Sequence, residues 1–151
     1  MTLSNFSSTI EILLVEDDPA DVELTKEGLA RAGVSVALNV VTDGVEAMDY
    51  LQKKGRYNEV KTPDLIVLDL NLPRKDGREL LRELKSDDRF RHVPIVVLTT
   101  SDSGDDIMET YSAGANSFVT KPIGIDNWEE MVSAIEKFWL NTVVLPSRVE
   151  R

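Results

Sequence analysis

Polar side chains that can support metal or phosphoryl chemistry follow several apolar runs of this sequence. The run Leu65–Leu68 leads into Asp69, and the run Ile10–Val15 leads into Glu16 and Asp17. The uninterrupted apolar run Leu65–Leu68 is typical of a strand that is buried on both faces of a parallel sheet, and the short run at 10–15 predicts another strand. Each carboxylate is therefore expected just past a rigid strand, which can hold it in a fixed position.

Two further polar residues follow later predicted strands. Thr99 comes directly after Pro94–Leu98, and Lys121 comes directly after Ser117–Thr120. Parallel strands present their carboxyl ends at one edge of the sheet, and ligands bind at that edge in folds of this kind. We therefore expect the three carboxylates, the hydroxyl and the ammonium group to meet there, although they are far apart in the sequence.

This set of side chains predicts a cation site beside a nucleophile. Three carboxylates in one crevice repel each other unless a cation lies among them. Mg2+, or Mn2+ in its place, prefers oxygen ligands and keeps several waters. Glu16, Asp17 and Asp69 would supply such ligands, together with one backbone carbonyl of the following loop, that of Asn71. A carboxylate beside a metal ion and a lysine is a competent nucleophile for a phosphoryl group, so an aspartyl phosphate is expected at Asp69.

Helical patterns alternate with the strands and define the elements that must position the site. Strands are expected at about residues 10–15, 36–41, 65–68, 94–98 and 117–120, and each precedes a stretch with helical spacing of apolar residues. This alternation predicts an α/β fold of three layers, with helices on both faces of a parallel sheet. We expect a flexible leader at 1–9, one domain at 10–140 and a tail at 141–151.

Composition excludes several classes of function. The 151 residues include no cysteine, which rules out disulfides, thiolate metal ligands and a cysteine nucleophile and suits a reducing cytoplasm. The formal charge of -10 disfavours nucleic acid, because an acidic protein is repelled by phosphate backbones. No apolar run approaches the roughly 20 residues that a membrane span needs. We therefore expect a cytoplasmic protein with neither a nucleic-acid nor a membrane partner.

Four short motifs occur in the order and at the spacing of a known family. They are Leu14–Asp18 (LVEDD), Leu68–Pro73 (LDLNLP) with Asp76-Gly77, Val97–Thr99 (VLT) and Thr120–Pro122 (TKP). In these motifs the sequence resembles the response-regulator receiver domains of two-component signalling, over about residues 10 to 140. The resemblance implies a flavodoxin-like, doubly wound sheet of five parallel strands in the order 2-1-3-4-5, with five helices.

The resemblance also implies a role for each candidate residue. Asp69 would accept a phosphoryl group from a histidine kinase. Asp17 would bind Mg2+ directly, and Glu16 would bind it mainly through water. Lys121 would pair with the phosphate, and Thr99 would be the switch hydroxyl. A receiver of this kind is not an enzyme, although it supports its own phosphorylation and slow dephosphorylation.

Two positions near the end of the expected domain carry further implications. Phe118 stands where the family often has a tyrosine as its switch ring, and a phenylalanine can still move between buried and exposed positions. The bond between Lys121 and Pro122 is often cis in the family.

Within the family, the nearest resemblance is to the small single-domain regulators that pair with bacterial and cyanobacterial phytochromes. It rests on Asp69–Asp76 (DLNLPRKD), the following Gly77–Glu79 (GRE), Val96–Ser101 (VVLTTS) and Phe138–Leu140 (FWL) with a Val-Leu-Pro tail. The implied partner is a phytochrome histidine kinase, and a downstream phosphotransfer protein is a further candidate.

The segment Phe138–Pro146 contains more apolar residues than a frayed end would. It either folds back on its own domain or forms a partner surface. In the second case we expect a homodimer through the fourth helix, the fifth strand, the final helix and this tail.

Three other functions compete with the receiver. A phosphatase of the haloacid dehalogenase type also places an aspartate after a parallel strand, but it needs a second aspartate where Asn71 stands. A flavodoxin-like electron carrier would need a phosphate-binding loop after the first strand, where Glu16, Asp17 and Asp18 would repel its cofactor. A pseudo-receiver would only bind partners, which the complete acidic set disfavours.

Overall fold

Five strands form one parallel sheet in the computed structural model, which describes residues 2–3 and 9–150. The strands are β1 (Ile10–Val15), β2 (Val36–Val41), β3 (Leu65–Leu68), β4 (Ile95–Thr99) and β5 (Ser117–Thr120). Their order is β2-β1-β3-β4-β5, and every neighbouring pair is parallel. This confirms the predicted order 2-1-3-4-5.

Five α-helices connect and follow the strands. They are α1 (Pro19–Ala30), α2 (Gly44–Leu51), α3 (Gly77–Lys85), α4 (Gly104–Ser112) and α5 (Ile125–Ile135). A π-helical segment, Glu136–Thr142, continues α5, and short 3-10 turns lie at Gly55–Tyr57 and Pro146–Arg148. Each of the first four helices has an N-cap residue whose side chain accepts a hydrogen bond from a backbone N–H of the first turn. These N-cap residues are Asp18, Asp43, Asp76 and Ser103.

Alternate residues of the central strands enter two separate cores, as the two-residue period of a strand requires. Ile66 and Leu68 pack on the face that α2 and α3 cover, whereas Leu65 and Val67 pack on the face that α1 and α5 cover. The predicted three-layer α/β/α architecture is therefore confirmed.

The end of the chain lies against the body of the domain. Leu140 and Leu145 are buried in the core between the sheet and helices α1 and α5. Beyond them, the Ser147 hydroxyl and the Arg148 guanidinium both donate to the carboxylate of Asp64. The side chains of Phe138 and Val144 stay exposed, at 52% and 55%.

The predicted leader, residues 1–9, lies mostly outside the described residues. Of that segment, Thr2–Leu3 pairs antiparallel with Val149–Glu150. Within the described chain, no helix has both the length and the apolar character that crossing a membrane would require. The bond between Lys121 and Pro122 is trans, in contrast to the cis form that the resemblance suggested.

Candidate functional site

The loop after β3 holds Asp69 in a fixed position at the carboxyl end of the sheet. The backbone N–H of Asp69 donates to the carbonyl of Val15 at 3.0 Å, so strand pairing with β1 continues to this residue. Gly77 at the start of α3 lies so close that a Cβ atom there would be 2.2 Å from the Asp69 carbonyl oxygen. Only glycine permits this approach, and Asp69 itself is buried, at 6% exposure.

Lys121 reaches the same carboxylate from the end of β5. Its backbone N–H donates to the carbonyl of Thr99 at 2.7 Å, which fixes the base of the side chain. Its Nζ lies 2.9 Å from Asp69 Oδ2, 2.7 Å from Glu16 Oε1 and 2.8 Å from Asp21 Oδ2. The three donors of the ammonium group therefore meet three different carboxylates.

Glu16, Asp17 and Asp69 converge as predicted. Each offers a carboxylate oxygen, and these oxygens lie within 4.8 Å of one another. Glu16 is buried, whereas Asp17 is exposed, so the cluster is open to solvent on the side of Asp17. Hard carboxylate oxygens at this spacing fit Mg2+ or Mn2+, which bind oxygen and retain water at open positions.

The electrostatics of the cluster reflect this crowding of charge. Burial, with a smaller contribution from the negative charge of Asp69, raises the pKa of Glu16 to about 7 against the opposing hydrogen bond from Lys121. Burial alone would lower the pKa of Lys121, but hydrogen bonds to Asp21, Glu16 and Asp69 raise it above the ordinary value. The site thus holds an excess of negative charge that one ammonium group does not neutralise.

Asn71, Thr99 and Phe118 complete the predicted set. The Asn71 N–H donates to Asp69 Oδ1 at 3.3 Å, which places this backbone beside the carboxylate; metal binding by its carbonyl stays a prediction. Thr99 is fully buried, and its Oγ1 has no hydrogen-bond partner among the described residues. Phe118 is half-buried against the core, and its N–H donates to the hydroxyl of Tyr111 at 3.1 Å.

Two features of the site were not predicted from the sequence. Asp21, in the first turn of α1, contacts Lys121 directly; a carboxylate in the helical turn after Glu16-Asp17 was the signal that could have found it. Arg78 at the start of α3 binds both carboxylate oxygens of Asp106 in α4, at 2.9 and 2.8 Å. The same carboxylate accepts from the Ser101 hydroxyl at 2.6 Å, so this network fixes the loop after Thr99.

Comparison with known proteins identifies the class. The family model of the response regulator receiver domain matches residues 12–134, and the chain belongs to this family. It is a receiver of two-component signalling, and at the level of the family such domains are non-enzymatic, bind Mg2+, take a phosphoryl group on an aspartate and work with histidine kinases. The family match separates the chain from haloacid dehalogenase phosphatases and from flavodoxins.

Individual relatives connect this receiver to phytochrome signalling proteins. Response regulator Rcp1 of Synechocystis sp. (strain ATCC 27184 / PCC 6803 / Kazusa) is 45% identical over 136 residues, which cover 90% of this chain and 92% of Rcp1. The phosphorylated cyanobacterial phytochrome response regulator RcpA has a TM-score of 0.89 at 46% identity, over 92% of this chain and 99% of RcpA. The Mn2+-bound form of Rcp1 has a TM-score of 0.88 at 44% identity, over 91% and 99% of the two chains. The chain is thus related to the phytochrome response regulators.

Proposed function

We propose that Asp69 is the phosphoacceptor of this receiver. The observation that carries the proposal is the position of its carboxylate, buried at the end of β3 and 2.9 Å from the ammonium of Lys121. The converging oxygens of Glu16 and Asp17 support it, because phosphoryl transfer depends mainly on positioning and on neutralisation of charge.

The proposed reaction is transfer from a phosphohistidine of the kinase. One carboxylate oxygen of Asp69 attacks the phosphorus, and the new O–P bond forms as the N–P bond of the phosphohistidine breaks. The imidazole leaves with the electron pair of that bond. Lys121 then donates to a phosphoryl oxygen instead of the Asp69 carboxylate. Small phosphodonors would also label Asp69, and water would hydrolyse the aspartyl phosphate slowly, so the chain reacts but does not turn over as an enzyme.

The proposed cation is Mg2+, which Mn2+ can replace. Asp17 and Asp69 would bind it directly, Glu16 mainly through water, and the carbonyl of Asn71 would complete the protein ligands. When bound, the cation supplies positive charge that offsets the clustered carboxylates and the phosphoryl oxygens. The Mn2+-bound form of Rcp1 supports a divalent cation in a related receiver.

The proposed switch consists of Thr99 and Phe118. A phosphoryl group adds a charge of about -1.5 to -2 and strong acceptor oxygens. The buried hydroxyl of Thr99 has no hydrogen-bond partner among the described residues. It can therefore donate to the phosphoryl group without breaking a hydrogen bond to any of them. Movement of Thr99 frees space beside Phe118, whose half-buried ring can turn inward. The phosphate thereby shifts an equilibrium of α4, β5 and α5.

The proposed partners follow from the relatives and the surface. A phytochrome histidine kinase is the proposed donor, because RcpA is a cyanobacterial phytochrome response regulator. A phosphotransfer protein is a proposed downstream acceptor. Exposed Met108, Tyr111, Ile125 and Phe138 support a homodimer through α4, β5, α5 and the tail at 141–151. Sedimentation across a concentration series, with and without phosphorylation, tests it; a monomer throughout would exclude the dimer.

We propose a cytoplasmic location, which the lack of cysteine supports. We likewise propose that residues 10–140 are the functional unit.

Labelling with acetyl phosphate tests the proposed function. In the presence of Mg2+ the full chain should gain one phosphoryl group by intact mass, and Asp69→Asn should gain none. Asp76→Asn is the matched control, because Asp76 lies in the same loop and caps α3, a role that asparagine also fills. It should be labelled normally. A wild-type chain that no phosphodonor labels would instead be a pseudo-receiver that only binds partners.

A further inference from the structure

The ammonium group of Lys121 contacts one carboxylate that the proposed chemistry does not use. Of its three acceptors, Glu16 and Asp69 belong to the converging cluster, whereas Asp21 does not. The Asp21 side chain is mostly buried, at 17% exposure, and lies 2.8 Å from Lys121 Nζ. The Asp21 N–H donates to Asp18 Oδ1 at 3.4 Å, so the N-cap of α1 helps to fix its backbone.

Lys121 and a divalent cation compete for the same two carboxylates, those of Glu16 and Asp69. Lys121 Nζ lies 2.7 Å from Glu16 and 2.9 Å from Asp69, two of the three residues whose oxygens converge. A cation that draws those oxygens toward itself removes acceptors from a lysine side chain that is only 6% exposed. A buried ammonium without an acceptor is costly, so the exchange needs another carboxylate within reach.

We propose that Asp21 is a positioning residue for the cation site, the carboxylate that retains Lys121 when the cation engages Glu16 and Asp69. This inference rests on the proposed function, because it assumes that Glu16, Asp17 and Asp69 hold a divalent cation. Asp21 acts through Lys121 and does not touch the cation. The same contact keeps the ammonium beside the place where a phosphoryl group on Asp69 would lie.

Mn2+ affinity provides a direct test, because the ion can be counted by electron paramagnetic resonance without phosphorylation. The full chain is compared with Asp21→Asn and with a matched control, Glu23→Gln. Glu23 is two residues further along α1, its side chain is 66% exposed, and it pairs with Lys26 rather than with Lys121. Both variants remove one negative charge from the same helix, but only Asp21→Asn removes a charge that is paired with Lys121.

Asp21→Asn should weaken Mn2+ binding about 10-fold, because the buried ammonium of Lys121 loses the negative charge that pairs with it. Glu23→Gln should weaken it by no more than about 2-fold, the effect of an exposed charge. Asp21→Glu should recover part of the lost affinity. Circular dichroism and a thermal melt establish that each variant is folded before its affinity is compared.

A second background isolates the role of Lys121. In Lys121→Met the competing ammonium is absent, so adding Asp21→Asn should cost no more than Glu23→Gln does. A 10-fold loss that persists in this background would mean that Asp21 acts by charge alone and would overturn the proposal. Equal losses for Asp21→Asn and Glu23→Gln in the wild-type background would overturn it as well, even if Lys121→Met does not fold. A wild-type chain that binds no Mn2+ would refute the cation site itself.

Discussion

Strand β3 carries a buried aspartate at each end, and the two carboxylates have opposite surroundings. Asp64 accepts the N–H of Glu11 at 2.7 Å, the hydroxyl of Ser147 and the guanidinium of Arg148 at 3.2 Å. Asp69 lies among carboxylates, and Lys121 is the one ammonium that contacts it in the described chain. At the amino end of β3 several donors surround the carboxylate of Asp64. At the carboxyl end several carboxylates share the ammonium group of Lys121.

The difference shows how one strand supports both stability and function. Buried charges are stable when they are paired and hydrogen-bonded, as Asp64 is, and Asp64 ties the tail of the chain to the amino end of the central strand. The excess negative charge around Asp69 is unfavourable in the free protein, but it favours the binding of a divalent cation, which in turn offsets the charge of a phosphoryl group.

The largest expected effect is the loss of the Asp64 carboxylate. Asp64→Ala should lower the free energy of unfolding by about 4 kcal/mol, because the Glu11 N–H, the Ser147 hydroxyl and the Arg148 guanidinium all lose this acceptor. Asp69→Ala should change it by no more than about 1 kcal/mol, since Lys121 keeps Glu16 and Asp21 and repulsion within the cluster falls. Denaturant unfolding measures both; equal losses would remove the distinction.

The next effect is the pH dependence that Glu16 imposes on metal-free protein. Its pKa is raised from 4.5 to about 7, so between these values the folded state binds more protons than the unfolded state. Stability should therefore fall as pH rises through this interval, by about 3 kcal/mol. Unfolding in the presence of a chelator at pH 5 and pH 8 measures the fall. Glu16→Gln should abolish it, whereas Glu23→Gln should retain it because Glu16 is intact.

A smaller effect should come from cation binding. Mg2+ at about ten times its Kd should raise the free energy of unfolding by about 1.4 kcal/mol, by binding only the folded state. The increase should be the same in Asp64→Ala, since the two ends of β3 are independent, and absent in Asp17→Asn. Thermal melts with Mg2+ and with a chelator give the values. A response lost in Asp64→Ala would show that the two ends are coupled.

The smallest effect concerns two hydroxyl groups. Ser147→Ala should cost about 1 kcal/mol, because the hydroxyl donates to buried Asp64. Thr99→Val should be neutral or slightly stabilising, because the buried Oγ1 has no partner in the described part of the chain. Thr99→Val should nevertheless reduce any change that phosphorylation causes in the fluorescence of the two tryptophans. A destabilised Thr99→Val would show that the hydroxyl already has a role in the free protein.

Much of the site at the carboxyl end of the sheet could be predicted from the sequence, because its residues directly follow strands that short-range patterns mark. Apolar runs mark the strands, the parallel order follows from their alternation with helices, and the polar residue after each run then lies at one edge. Glu16, Asp17, Asp69, Thr99 and Lys121 were all expected there, and all except Thr99 belong to the cluster of contacts that the structure contains. Thr99 lies at the end of β4, and its hydroxyl has no hydrogen-bond partner among the residues that the structure describes.

The remaining decisions needed the tertiary structure. Asp64 finds its partners 83 and 84 residues away, and Asp21 reaches Lys121 across 100 residues. From the sequence alone, Asp64 and Asp21 could each equally be a helix cap, a turn residue or a solvated charge. The number of donors that converge on a buried carboxylate in space decides whether its charge is fully compensated, as at Asp64, or only partly, as at Asp69. Hydrophobic periodicity is a property of neighbouring residues, and it determined the strands, the helices and their layers. Charge balance is a property of the packed molecule, and only the packing decided it.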